Sequence, residues 1–279
     1  MFPRPLALLA CLFAARAALA DPVSAPADRR LPIGGDWARA KGIELPKPFG
    51  VGVFLVNMRR DLEVSDVRVT LPGQGAQSIS DLASFDVRNT TTLAAVKLDA
   101  WVFPVLDVYA MAGHTWTDSR LGVTVRVDRA PGEDLVLQTS REGQVGGPLL
   151  GGGATLVAGY GRWFVLADAN YSWSDIDAFQ GGIGALFASA RTGWSGKAQG
   201  VAWRAWLGAA YLATQRTIRV EQQTDAGPVV VEIDQQPVHP VTLQVGGSLG
   251  LGEQWELLAE LGTNSGQDFV GVFSAAYRF

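Results

Sequence analysis

The sequence predicts an all-β fold: a transmembrane, antiparallel, up-and-down β-barrel of about ten strands, with eight or twelve as the alternatives. Three observations predict it. Segments of about ten residues alternate apolar with polar or small residues at period two. Aromatic residues gather at both ends of these segments, where a bilayer places amphipathic rings. Glycine, at 33 of 279 residues, exceeds the typical ~7%; the surplus suits turns and strands, whereas each glycine costs a helix ~1 kcal/mol. With 48% hydrophobic and 18% charged residues, the chain is too apolar for a disordered protein.

Residues 1–20 read as a secretory signal. Arg4 ends a short basic start, Leu6 to Ala15 are apolar, and Ala18-Leu19-Ala20 supplies a small-x-small cleavage site before Asp21. A lipoprotein signal ending at Cys11 would leave too short an apolar core. Cleavage after Ala20 removes the single cysteine, so the remaining 259 residues have no disulfide or thiolate metal site to stabilise them. They carry 21 basic and 27 acidic residues, a net charge of −6 that gives nucleic acid no attraction.

Residues 21–48 are expected to form a periplasmic segment. Within it, Asp36-Trp37-Ala38-Arg39-Ala40-Lys41-Gly42 has a capping residue in front and a glycine stop behind, the marks of a one- or two-turn helix. Pro46 and Pro48 then break the chain. So short a helix is expected to fray as a leader rather than close the barrel mouth.

Residues 49–279 are expected to be the barrel, with strands near 49–59, 93–103, 105–116, 152–162, 163–174, 183–194, 201–213, 241–250, 254–263 and 268–279. In 203–211, Trp203, Ala205, Leu207, Ala209 and Tyr211 share one face. In 163–173, Val165, Ala167, Ala169, Tyr171 and Trp173 oppose Asp168, Asn170 and Ser172. A soluble sandwich would alternate too, but Trp163, Trp203, Trp255 and Phe103 lie beside short turns while Trp116, Trp173 and Tyr211 lie one strand length away. With Phe279 these are the expected membrane-interface aromatics. Short turns near Pro104, Arg162, 195–200 and 251–253 face the periplasm. Longer links at 60–92, 117–151 and 214–240 face outward; 121–127 and 228–233 still alternate, which predicts strands continuing as a rim. Insertion of 121–139 would raise the count to twelve, but its five charges oppose that.

The last strand places Phe269, Gly271, Phe273, Ala275, Tyr277 and Phe279 on one face and ends in Tyr-Arg-Phe. Here the chain resembles bacterial outer-membrane β-barrel proteins, whose final strands commonly end in this way, with the terminal phenylalanine implicated in recognition by the barrel-assembly machinery. Residues 97–109 and 205–211 resemble a group of uncharacterised outer-membrane proteins. The resemblance implies a Gram-negative outer-membrane location and carries no activity.

The inward faces gather Lys97, Arg191, Arg204 and Arg278 with Asp99, Asp107, Asp168, Glu256 and Glu260. Unpaired ions in a narrow lumen keep a desolvation penalty of several kcal/mol, so a paired charge network in a packed, occluded interior is expected, with Trp101, Trp206 and Phe187 also turned inward. A polar path for small solutes is the alternative. No catalytic residues are assigned. Outer-membrane proteases pair aspartates with a histidine beside an aspartate, but His239 has no acid beside it. Barrel lipid esterases set a histidine two residues from a serine, but position 116 is tryptophan, and alternation turns His114 toward lipid. Asp175, Asp177 and Asp168 lack a calcium-loop spacing, and residues 146–153 lack the phosphate-loop ending and read as a flexible entry to a strand. No cofactor or metal is expected. The expected role is structural or interactive at the cell surface through the outer loops, whose charges (Arg59, Arg60, Asp61 and Glu63; Arg126, Asp128 and Arg129; Arg216, Arg219 and Glu221) suit lipopolysaccharide or an external ligand. The alternatives are a narrow pore, and a lipid A-modifying or proteolytic barrel using His114. The expected partners are outer-membrane lipid, lipopolysaccharide and, during biogenesis, the assembly machinery, with the protein a monomer.

Overall fold

Strands that are greasy on one face and polar or small on the other can bury the greasy face only against another layer or against lipid. In the computed structural model, which describes residues 31–70, 75–78, 83–129, 133–176, 182–224, 227–264 and 268–279, the second solution is taken. The signal segment, 1–20, lies outside the described residues. The strands are β1 (Phe49–Thr70), β2 (Ala76–Ser78), β3 (Ala83–Phe103), β4 (Leu106–Arg129), β5 (Glu133–Tyr160), β6 (Trp163–Ser174), β7 (Ile183–Ala198), β8 (Val201–Thr224), β9 (Gly227–Pro237), β10 (Val241–Leu251), β11 (Trp255–Asn264) and β12 (Asp268–Arg278).

Ten of them form a closed antiparallel ring in the order β1-β3-β4-β5-β6-β7-β8-β10-β11-β12. β12 returns to β1 from Gly50↔Arg278 to Arg59↔Phe269. Closure matters because a free sheet edge inside hydrocarbon would strand unpaired N–H and C=O groups at several kcal/mol each. Among the described residues no helix is long and apolar enough to cross a membrane. Among the described residues nothing covers the outer wall: Leu207, in the ring half of β8, and Leu243, near the start of β10, are 62% and 68% exposed. Trp163 and Trp173 cap the outer face of β6 ten residues apart. At ~3.3 Å per residue and a tilt near ~40°, that spans about 25 Å, the height of an outer-membrane apolar band.

The ten expected strand positions coincide with the ring, but the expected long loops are largely strand. β1, β4 and β8 run on to Thr70, Arg129 and Thr224, and β3 and β5 begin at Ala83 and Glu133. Ladder bonding continues past the aromatic level because hairpin partners need no lipid to stay paired. Residues 121–129 and 133–139 belong to this extension, as the distal parts of β4 and β5 paired out to Arg129↔Glu133, so they add no eleventh or twelfth strand to the ring.

Above the ring a different sheet forms. β9 pairs with β8 from Arg216↔Gln235 to Thr224↔Gly227 and with β1 from Leu62↔Pro237 to Thr70↔Val230. It thereby bridges the tops of the shorter β10, β11 and β12. The rim order is β5-β4-β3-β1-β9-β8, and among the described residues no strand joins β5 to β8 over the shorter β6–β7 hairpin. Beneath β9 sits a polar seam. The Asp61 N–H donates to Asp268 Oδ1 at 3.1 Å, and Arg60 Nη1 donates to the His239 carbonyl at 3.4 Å.

At the opposite end, helix α1 (Gly35–Ala40) starts two residues before the expected position. Asp36 is not the N-cap: Gly34, at φ 80°, holds that place, and Asp36 sits in the first turn, where its carboxylate accepts from Arg39 at 2.6 Å. Gly42, at φ 76°, stops the helix. The segment is tied to the barrel rather than free. The Ile33 N–H donates to the Val102 carbonyl, the Trp101 N–H to the Pro48 carbonyl, and Lys197 pairs with Glu44 at 3.1 Å. These bonds supply the order that so short a helix lacks on its own.

Candidate functional site

Alternation turns the polar face of each ring strand into the lumen, and with it all nine charged side chains singled out in the sequence. Eight of them fall into three ion-paired groups. Lys97 lies 3.6 Å from Asp99 and 3.7 Å from Asp107, and Arg278 lies 2.9 Å from Asp99. These contacts are ionic by distance, not aligned hydrogen bonds. Arg191 Nε and Nη2 donate to Glu260 at 2.6 and 3.0 Å, and Trp206 Nε1 donates to the same carboxylate at 2.7 Å. Arg204 meets Glu256 at 2.6 Å nearer the short-turn end. The ninth, Asp168, is held by neutral groups. It accepts from the Tyr109 hydroxyl at 3.0 and 3.1 Å, from Thr155 at 2.6 Å and from Asn170 at 3.4 Å.

Several of these side chains lie flat on the wall instead of projecting across the lumen, and inward glycines make that possible. Arg191 reaches from β7 to β11 across Gly208, where a Cβ would stand 2.9 Å from Arg191 Cγ. Trp206 lies over Gly246, whose Cβ would stand 2.7 Å from the indole ring. Tyr109 crosses Gly153, and Met111 crosses Gly151, to approach β6. Residues 146–153 are therefore not a flexible entry but the middle of β5, glycine-rich because side chains at Gly151 and Gly153, and backbone carbonyls at Gly146 and Gly147, occupy the space a Cβ would need.

The expected packed interior is replaced by a cavity of about 1170 Å³. Its rim-side half is lined by apolar side chains, among them Met58, Leu93, Met111, Leu149, Phe187 and Leu212, interleaved with polar ones such as Asn89, Thr115 and Gln244, and the ion-paired groups line its inner half beside Phe164, Leu166 and Leu258. Residues of the N-terminal segment, Trp37, Ile43, Leu45 and Pro46, line its short-turn end. Neither the flat side chains nor the hollow was legible in the sequence. The inward glycines of β5, β8 and β10 were the available signal, because an inward glycine opposite a long side chain marks room for it to lie down.

The expected interface aromatics all stand on the outer wall. Phe103, Trp163, Trp255 and Phe279 lie at the short-turn end and Trp116, Trp173 and Tyr211 toward the rim, each 42–56% exposed. Trp203 is half-buried because Arg162 stacks on it at 5.7 Å. Phe49, Tyr160 and Trp194 join them, with Trp194 against Trp163 at 4.7 Å.

His114 faces outward against Trp116, ring centroids 4.5 Å apart, and its buried Nδ1 has no hydrogen-bond partner among the described residues. No described acid or hydroxyl is placed for it to activate. Among the described residues no group of three His, Cys, Asp or Glu side chains could hold a metal; Asp175 is exposed, and Asp177 lies outside the described residues. Of the rim charges, Arg60 is not at the surface but buried in the seam under β9, and Asp61 pairs with Arg88 at 2.8 Å. The side chains of Arg126, Asp128, Arg129, Arg216, Arg219 and Glu221 lie outside the described residues.

No family model and no curated protein matches the chain. Among solved structures it is similar to the β domain of the Bordetella autotransporter Brka, with 11% identity over 82% of this chain and 100% of that one, at a TM-score of 0.36. The outer membrane protein OprG from Pseudomonas aeruginosa gives 10% identity over 85% and 100%, at 0.37. The Ralstonia pickettii toluene transporter TbuX gives 10% over 84% and 90%, at 0.36. The described chain is an antiparallel β-barrel closed by ten strands.

Proposed function

We propose that this barrel is an outer-membrane conduit that receives small molecules with a substantial apolar part into its lumen. The hollow carries this reading: about 1170 Å³ of space, lined by many apolar side chains interleaved with polar ones and with ion pairs at its inner end, is more than the ~300–1000 Å³ typical of a small-molecule site. A barrel serving only as a membrane scaffold would gain stability by filling that space. Aliphatic and aromatic side chains facing an internal hollow are matched by a solute that shares their aversion to water.

The test is binding of 4-phenylbutanol to the protein in lipid nanodiscs, measured against empty nanodiscs. Saturable binding is expected in the wild type. It should be lost in Ser172→Trp, which puts an indole into the lumen from β6. Binding equal to that of empty nanodiscs would refute the reading.

A second reading, recognition at the cell surface, is supported by the six-stranded rim, which carries β1, β3, β4, β5, β8 and β9 beyond the aromatic level. Its proposed contacts are lipopolysaccharide and outer-membrane lipid. Shortening the β4–β5 and β8–β9 hairpins to the ring should then abolish surface binding while leaving 4-phenylbutanol uptake. The C-terminal Phe279, beside Phe49 on the outer wall, is the proposed signal to the assembly machinery.

A further inference from the structure

We infer that the lumen selects amphipathic organic cations, a protonated amine on an apolar body, and that the ammonium group sits at Asp168. This rests on lumen uptake as read above and names its substrate class. The inner charges set the argument. Lys97 and Arg278 answer Asp99 and Asp107, Arg191 answers Glu260, and Arg204 answers Glu256. Asp168 forms no ion pair with any of these cations and takes its hydrogen bonds from Tyr109, Thr155 and Asn170, none of which brings a charge. Among the described residues, Asp168 is thus a carboxylate facing the cavity without an ion-pair partner.

The acceptor count leads to the same place. A carboxylate offers about four lone-pair sites, and the three neutral neighbours donate three protons. One direction stays free for a further donor, and a charged donor there forms the stronger, charge-assisted bond. The neighbours also hold the carboxylate still, since Thr155 stands opposite Asp168 on β5 and Tyr109 lies over Gly153 to reach it. A ligand would not spend its binding energy on freezing that side chain.

The apolar part of the ligand has a place directly rimward. Asn170 is one inward step above Asp168, Phe187 stands opposite Asn170 on β7, and Met111 lies over Gly151. A bare metal ion fits less well, because no further acidic or histidine ligands converge there among the described residues. An anionic headgroup would meet Asp168 with repulsion.

Three probes with one body and three headgroups test this: 4-phenylbutylamine, 4-phenylbutanol and 4-phenylbutanoate, titrated at pH 7 into the protein in nanodiscs of neutral lipid. The amine is expected to bind at least tenfold more tightly than the alcohol, and the acid most weakly. In Asp168→Asn the amine should fall to the affinity of the alcohol, which should itself be unchanged. If that variant fails to insert, the ranking of the three headgroups on the wild type still decides. Equal binding of amine and alcohol, tightest binding of the acid, or an amine preference that survives Asp168→Asn would overturn the inference while leaving lumen uptake intact. Failure of all three probes would overturn both.

Discussion

Replacing Glu260 by leucine would remove, in one step, the acceptor for two Arg191 donors and for the Trp206 indole. Glu260 is 2% exposed and the Arg191 side chain 17%, so the guanidinium left behind is poorly placed to recover water. Breaking a buried ion pair in this way costs ~3–5 kcal/mol, and an orphaned indole N–H adds ~1–3. The adjacent cavity lets some water reach Arg191, which favours the lower end, about 4 kcal/mol in all. Most of the loss should be recovered when the pair is removed together, leaving the orphaned Trp206 N–H as the remaining cost. Arg191→Met with Glu260→Leu removes both charges, and swapping a buried pair for apolar groups is close to neutral or stabilising. Reversible denaturant unfolding in liposomes, followed by tryptophan fluorescence, would give the two single variants, the double variant and the coupling energy of the cycle. A Glu260→Leu barrel as stable as the wild type, or a double variant as unstable as the sum of the singles, would refute the view that this pair is desolvated against the wall.

Three further outcomes follow from the same geometry. Gly246→Leu should push the Trp206 ring off the wall, destabilising the barrel by ~1–3 kcal/mol as overpacking does, with a shift in indole emission; unchanged stability and emission would show that the ring does not lie over that glycine. Leu207→Arg, in the middle of the lipid face, should cost ~2–4 kcal/mol in liposome unfolding, while the same change at Trp163 in the aromatic girdle should cost markedly less; equal costs would contradict the membrane placement. Deleting residues 31–46, which line the short-turn end of the cavity, should raise single-channel conductance in planar bilayers above that of the full protein, and an unaltered conductance would mean the segment does not obstruct the path.

Much of this architecture was written in the chain itself. The period-two pattern, with tryptophan and tyrosine one strand length apart, was enough to place ten strands and to say which side of each meets lipid, because a pleated strand sends successive side chains to opposite faces whatever its neighbours are. For the same reason Lys97, Asp99, Asp107, Asp168, Arg191, Arg204, Glu256, Glu260 and Arg278 could be assigned to the lumen. Which of them meet was decided by the stagger between strands. Arg191 finds Glu260 across two intervening strands, and Asp168 is left to Tyr109 and Thr155, because register and closure set distances that no local pattern encodes. The rim was half legible: 121–127 and 228–233 announced strands, but the bridging of β9 to β1 depends on β10 to β12 being short, a relation between segments far apart in the chain. The hollow was not legible at all, since it follows from side chains folding down over glycines of adjacent strands, and that adjacency exists only once the barrel has closed.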